Sequence, residues 1–254
     1  MPAFDEALTV ESVVSSLLSL DIPNGLELIV VDDGSRDATA AILDSIIDPR
    51  LTVIHHRANL GKGAAIATGI ASATGSHLLI FDADSEYDPL DIPRLIEPLL
   101  TNRAEVVYGS RMSGFGTVHP SLIHALGNHA MTWMANLLYG SVISDLHTCL
   151  KLIPLPLVRA SRLSESGFGL DTEMSAELLR AGFRPYEVPI SYVGRSKEEG
   201  KKIRTTDALE CIWILIKVRL RGSTSYGNRD HALAPPVRVQ NDPPSTSRFG
   251  KDPQ

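Results

Sequence analysis

Cysteine is scarce: Cys149 and Cys211 are the only two in 254 residues. That excludes a disulfide framework and sets a reducing compartment as the expectation. Long apolar runs are also missing. None reaches the roughly 18–20 uncharged residues that a spanning helix needs, so membrane contact is expected only at the surface. Positive charge is in deficit, with 24 Lys and Arg against 30 Asp and Glu and a net charge of -6. A nucleic-acid binder would be basic, and that class is set aside. Asp5 and Glu6 stand where a signal peptide carries positive charge, and the chain is read as cytoplasmic. No internal repeat is found. What remains, 43% hydrophobic and 21% charged, is the composition of one large α/β domain or two small ones.

The organising stretch is Leu78-Leu79-Ile80-Phe81-Asp82-Ala83-Asp84. Four apolar residues end at two carboxylates, which reads as a strand buried on both faces of a parallel sheet. Ligands of open α/β sheets bind at the carboxyl ends of such strands. Residues two apart in extended chain point the same way, so Asp82 and Asp84 are expected to face one site. Two like charges side by side call for a cation, and Mg2+ or Mn2+ shared with substrate phosphates meets that demand. Taken alone, aspartates after a strand are more often turn formers or helix caps.

Along the chain, Met1-Pro2-Ala3-Phe4 reads as the end of a strand whose first half is missing. Helices are expected over 9–20, 38–47, 64–73 and about 91–100, and strands over 26–31, 51–54, 78–81 and 105–110. Strand alternating with helix through short links predicts right-handed βαβ units and a mainly parallel sheet. Beyond Arg111 the pattern loosens. Helices are expected over 121–139, 171–181 and 205–220, and an extended segment over 187–192 whose Pro189 marks an edge or strand end. A catalytic domain over 1–222 would divide into halves near residue 111, and residues 223–254, rich in Pro and poor in apolar residues, are expected to be disordered. Acids close three strands: Glu6 the first, Asp32 and Asp33 the second, Asp82 and Asp84 the fourth. In a doubly wound sheet these ends share a rim.

With those residues in view, the chain resembles the family 2 glycosyltransferases. The matching motifs are Pro2-Ala3-Phe4-Asp5-Glu6, Val30-Val31-Asp32-Asp33-Gly34-Ser35, Asn59-Leu60-Gly61-Lys62-Gly63, Asp82-Ala83-Asp84 and Gly109-Ser110-Arg111. The second half is similar to the polyprenyl-phosphate branch, which includes dolichyl-phosphate mannosyltransferases. There the matches are Asp145-Leu146-His147-Thr148-Cys149-Leu150-Lys151, Gly167-Phe168-Gly169-Leu170-Asp171-Thr172-Glu173, Glu187-Val188-Pro189-Ile190 and the run from Arg195 to Ile203. Glu86, where the family often has Gln, adds an acid.

The resemblance implies a glycosyltransferase A-type fold and inverting transfer of a hexose, mannose or glucose, from a GDP- or UDP-sugar to a polyprenyl phosphate. It implies donor contacts at Pro2, Ala3, Glu6, Asp32, Asp33, Lys62, Asp82 and Ala83. It places Mg2+ or Mn2+ on Asp82 and Asp84, catalysis at Asp84, Asp145 and Arg111, and acceptor phosphate at Arg111, Arg195, Lys201 and Lys202. Each residue has a plainer reading beside it. Asp33-Gly34-Ser35 also makes a turn and cap, and Lys62, before a helix start whose free N–H groups favour an anion, could be a solvated lysine. Arg111 could form a surface salt bridge. Asp145 could position the acceptor or act as a base, and Asp171 with Glu173 fits an ordinary helix N-terminus. An already ionised phosphate acceptor needs no strong base, whereas a sugar hydroxyl does. The basic run from Arg195 leads into an apolar helix with Lys217, Arg219 and Arg221. That pairing suits anionic lipid heads, and burial of residues 212–216 or pairing with another subunit is the competing expectation.

Overall fold

A computed structural model describes residues 1–112, 117–118, 122–195 and 205–221. The tail from 222 onward lies outside them, as do Lys201 and Lys202. The first half alternates as expected: β1 (Pro2–Ala3), α1 (Val10–Leu18), β2 (Leu28–Asp32), α2 (Thr39–Ser45), β3 (Leu51–His55), α3 (Lys62–Ser72) and β4 (His77–Leu79). A 3-10 turn (Pro89–Asp91), capped by the Asp88 carboxylate accepting from Leu90 N, leads into α4 (Ile92–Leu100) and β5 (Val107–Ser110). Then come β6 (Thr117–Val118), α5 (Leu122–Tyr139), β7 (Lys151–Pro154), α6 (Leu155–Ala160), α7 (Gly169–Arg180), β8 (Tyr186–Pro189), β9 (Tyr192–Val193) and α8 (Thr205–Leu220).

β1, β2 and β3 form a parallel sheet in that order. A second sheet runs β4-β7-β5-β8, with β8 parallel to β5 at its edge. Pro189 closes that edge strand, where its missing N–H costs no ladder bond. β7 corrects the expectation for the second half: it lies between β4 and β5 and is antiparallel to both. Lys151 and Pro154 break its apolar pattern, yet all four of its residues are buried. The organising strand is also shorter than its apolar run. β4 stops at Leu79 and is only half-buried, because one of its edges faces a cavity that separates it from β2.

The main core packs helices onto these sheets through Val14, Val30, Leu43, Leu95, Tyr108, Ile153 and Leu178. A second core lies between α5, α7 and α8, around Ala135, Leu146, Ile214, Leu215 and Val218. Burial, one of the expectations for residues 212–216, holds for part of that helix. Ile214 and Leu215 are buried, while Trp213 is exposed. α7 is buried along nearly its whole length, and its acids are answered by cations. Arg221 donates to Glu173 and Glu177, each at 2.9 Å. Asp171 is not the N-cap, since α7 begins at Gly169.

The start of α3 is fixed by close approach. Gly61 has φ +100, and a Cβ on Gly63 would lie 2.6 Å from the Glu165 carbonyl oxygen and 2.7 Å from the Ser166 carbonyl carbon. Both neighbours are backbone and cannot rotate aside. Gly63→Ala is expected to cost about 1–3 kcal/mol, read as a lower denaturant midpoint with an unchanged slope.

Candidate active site

The expected rim forms at the carboxyl ends of β1, β2, β4 and β5. Pro2 and Ala3 are β1 itself, with Ala3 buried and in register with Asp32. Asp32 accepts from Ser35 N at 3.1 Å and meets His55 Nδ1 at 3.0 Å; the other nitrogen of that ring meets Asp44. The Asp32 hydrogen bond raises the His55 pKa, with burial opposing it and Asp44 adding to it. Asp33 accepts from Leu60 N and Gly61 N at 2.9 and 2.8 Å and meets His56 Nδ1 at 2.7 Å. These acids therefore fasten the end of β2 to β3 and to the loop before α3.

The start of α3 is less open than its sequence implies. Ala64 N donates to the Ser166 carbonyl at 3.0 Å, and the Leu60 and Gly61 amides are spent on Asp33. Lys62 is not solvated either. Its Nζ lies 2.9 Å from Asp82 and 3.5 Å from Asp171. Burial alone disfavours its charge, but Asp82, Cys149 and Asp171 outweigh burial and hold its pKa above the usual value.

After Phe81 the chain turns, and Ser85 takes φ 59. Alternation therefore stops at Asp82, and the two carboxylates are held by different cations: Asp82 by Lys62, Asp84 by Arg195 at 3.0 Å. Arg195 also donates to both oxygens of Glu6 at 3.0 Å, and its backbone N donates to Glu86 at 2.7 Å. Burial and the charges of Asp82 and Glu86 push the Asp84 pKa up to about 7, with Arg195 opposing. Such a crowd of like charge is relieved by a cation. Among the described residues no group of three or more His, Cys, Asp or Glu gathers as a metal cage. Asp82 and Asp84 could each offer an oxygen, with water and substrate phosphate completing the shell, which is how Mg2+ is commonly held. The donor set fits a hard divalent ion on those terms.

On the acceptor side Arg111 is no surface residue. It donates to Asp145 through Nε at 2.7 Å and Nη2 at 2.8 Å, and its Cζ stands 5.0 Å from the Tyr192 ring centroid. Asp145 is fully buried and also accepts from Arg111 N and Asn128 Nδ2. Burial opposes its charge, but Arg111 and Asn128 lower its pKa to about 2. Asp171 meets Lys151 Nζ at 3.4 Å as well as Lys62. Against burial, those lysines hold its pKa below the usual value.

Sequence reasoning missed Lys151, Asn128, His147 and Tyr192. A lysine inside the apolar stretch from Cys149 to Leu155 was the available signal for the first. His147 stands in the Asp145–Lys151 motif, but no role was drawn for it there; Asn128 and Tyr192 carry no local mark and are brought in by the packing of α5 and β9.

His147 lies between Asn128 Oδ1 at 2.9 Å and Thr172 Oγ1 at 3.0 Å. Because the Asn128 amide nitrogen faces Asp145, its oxygen accepts from His147 Nδ1–H. Burial, with Lys151 and Arg111 adding, lowers the His147 pKa from 6.5 to about 4. Between those values the unfolded chain binds more protons than the folded one, so this contribution is complete above pH 6.5 and lost as pH falls to about 4. Its size is of order 3 kcal/mol. Denaturant midpoints are expected to fall over that window, and to fall less in His147→Gln.

Comparison with known proteins now gives the fold and these motifs their context. A protein of Methanocaldococcus jannaschii, itself uncharacterized, is 26% identical over 213 residues, covering 81% of this chain and 85% of its own. Glycosyltransferase AglD of Haloferax volcanii is 28% identical over 76% of this chain and 32% of its own. A UDP-N-acetylglucosamine–dolichyl-phosphate N-acetylglucosaminyltransferase of Methanococcus voltae is 29% identical over 57% of this chain and 64% of its own. Among solved structures, glucosyl-3-phosphoglycerate synthase of Mycobacterium tuberculosis superposes with a TM-score of 0.66, at 20% identity, over 88% of this chain and 80% of its own. That likeness carries the fold, which is the glycosyltransferase A-type. The model of Glycosyl transferase family 2 matches residues 1–140; the chain belongs to that family.

Proposed function

We propose that this protein is an inverting transferase that moves a hexose, mannose or glucose, from a GDP- or UDP-sugar to a polyprenyl phosphate, using Mg2+ or Mn2+. The observation that carries the acceptor class is the commitment of both acceptor-side acids. Asp145 is tied to Arg111 and Asp171 to Lys151 and Lys62, and their lowered pKa values make each a poor base. A phosphate oxygen is already a nucleophile and needs none. The Methanococcus voltae relative, named for a dolichyl-phosphate acceptor, supports this reading. The Mycobacterium tuberculosis synthase, solved with Mn2+ and UDP-glucose, supports the donor and the ion.

In this reading Glu6, Asp32, Asp33 and Lys62, with Pro2, Ala3 and Ala83 between them, frame the nucleotide. A divalent ion on Asp82 and Asp84 supplies Lewis-acid neutralisation of the charge gathering on the departing diphosphate. Arg195, held by Glu6 and Asp84 at the same rim, would offer its guanidinium to a phosphate there. Arg111 offers the guanidinium nitrogen that Asp145 does not hold, and Asp145 acts as its positioning residue. Among the described residues no helix is long and apolar enough to cross a membrane. Exposed Trp133 and Leu137 on α5 and Leu209 and Trp213 on α8, beside Arg219, suit shallow contact with the cytoplasmic face of a bilayer.

The decisive assay combines the protein, Mn2+ or Mg2+, labelled nucleotide-sugars and a short polyprenyl phosphate. Label is expected in the organic-extractable lipid. Label in a water-soluble product would assign a hydroxyl acceptor instead, and donor bound but unconsumed would make the protein a binding module. Asp84→Asn is expected to lower turnover by about 100-fold or more with the thermal transition retained. The pH dependence follows from Asp84, whose pKa is about 7: below that value it must shed a proton to accept the ion. Mn2+ affinity, measured calorimetrically, is expected to rise with pH up to about 7 and level off above it. In Asp84→Asn that rise is expected to vanish.

A further inference from the structure

Tyr192 is buried between the two sides of the site, and its ring and its hydroxyl face different partners. The Arg111 Cζ stands over the ring face, 5.0 Å from the centroid. The hydroxyl donates to Glu86 Oε2 at 2.8 Å. Backbone bonds fix the segment on both flanks. Ile190 N donates to Ser110 O at 3.1 Å, Ser191 N to the Asp91 carboxylate at 2.6 Å, and Val193 N to Glu86 O at 3.0 Å. A contact with the Tyr87 ring, at a centroid distance of 5.3 Å and an angle of 56°, sets the tilt of the side chain.

Asp145 holds the Arg111 guanidinium along one edge, through Nε and Nη2. An edge contact leaves the plane able to swing about that edge. An aromatic face laid against the cation removes this freedom and adds an attraction of its own. The nitrogen left over for phosphate then points one way. The hydroxyl acts in the other direction. A buried phenol takes a hydrogen-bond partner, and here the partner is a carboxylate. The second oxygen of Glu86 accepts from Arg195 N at 2.7 Å. Glu86 N in turn donates to Asp84 Oδ1 at 3.2 Å, which ties Asp84 and Glu86 into one turn. Burial, with the Glu86 charge adding, pushes the Tyr192 pKa up, and the phenol remains a donor. A phenylalanine would fill the same space and cover Arg111 as well, but it would take this donor away from Glu86.

We propose that Tyr192 is a positioning residue for both substrates: its ring sets the plane of Arg111 for the acceptor phosphate, and its hydroxyl, through Glu86, steadies Asp84 for the metal-bound donor. This role rests on the transfer to polyprenyl phosphate put forward above, and it assigns the two ends of one side chain to two separate binding events.

Two variants of the full chain separate ring from hydroxyl. Tyr192→Phe keeps the ring. Its KM for a short polyprenyl phosphate is expected to stay unchanged, while Mn2+ affinity, measured calorimetrically, falls by about 5-fold for the lost hydrogen bond. Tyr192→Leu removes both groups. It is expected to weaken Mn2+ binding as much and also to raise the acceptor KM by about 5-fold or more. Hydrogen exchange at the Arg111 Nε–H, followed by NMR without any acceptor, is expected to quicken in Tyr192→Leu and not in Tyr192→Phe. An acceptor KM and an exchange rate that Tyr192→Leu leaves alone would overturn the role of the ring. Unchanged Mn2+ affinity in Tyr192→Phe would overturn that of the hydroxyl, and a lower kcat with every KM unchanged would reduce Tyr192 to packing. Should Tyr192→Leu fail to fold, a raised acceptor KM in Tyr192→Phe would overturn the assignment of Arg111 to the ring. If the unmodified protein labels no lipid, the acceptor proposed above is wrong, and the Arg111 exchange rate and Mn2+ affinity still decide the role of Tyr192.

Discussion

Repulsion among carboxylates at one sheet rim is the constraint on which the rest of the site depends. Glu6, Asp82, Asp84 and Glu86 converge from β1 and β4, and two cations from distant parts of the chain hold them together. Lys62 comes from the start of α3, and Arg195 from the segment after β9. Burial, with the charges of Asp82 and Glu86 adding, raises the Asp84 pKa in spite of Arg195. An unspent negative potential at the carboxyl ends of parallel strands is what a metal–diphosphate donor requires.

A second buried charge layer lies beneath this rim. Lys62 touches Asp171, Asp171 touches Lys151, and Lys151 lies 5.6 Å from the Tyr108 ring centroid. Farther along α7, Glu173 and Glu177 take Arg221. Each of these groups would be costly in isolation. Together they tie α3, β7, α7 and the end of α8 into one network, and the apolar packing of the second core closes over it.

The first half of the fold was legible because its code is local. Apolar strands, small-residue helices and acids at strand ends recur within about thirty residues, the length of one βαβ unit. β7 escaped because its Lys151 and Pro154 look like breakers. Lys151 is tolerated only since Asp171, twenty positions later, is waiting for it, and no local pattern carries that information. The site divides in the same way. The acids and Arg111 stand where their motifs put them, but the partners of each were hidden. Arg111 against Asp145 spans 34 residues, and Asp82 against Lys62 spans 20. Asp145, expected to position the acceptor or act as a base, is found bonded to Arg111, a partner that its own motif does not reveal.

The bond between Glu6 and Arg195 closes a separation of 189 residues. A nascent chain therefore exposes its acidic rim from the first strands onward, yet lacks one of the two counter-charges until nearly the entire domain has been synthesised. Contacts of such range form late, after the loop entropy between their ends has been overcome. The acidic rim thus acquires its electrostatic balance only once Arg195 has reached it.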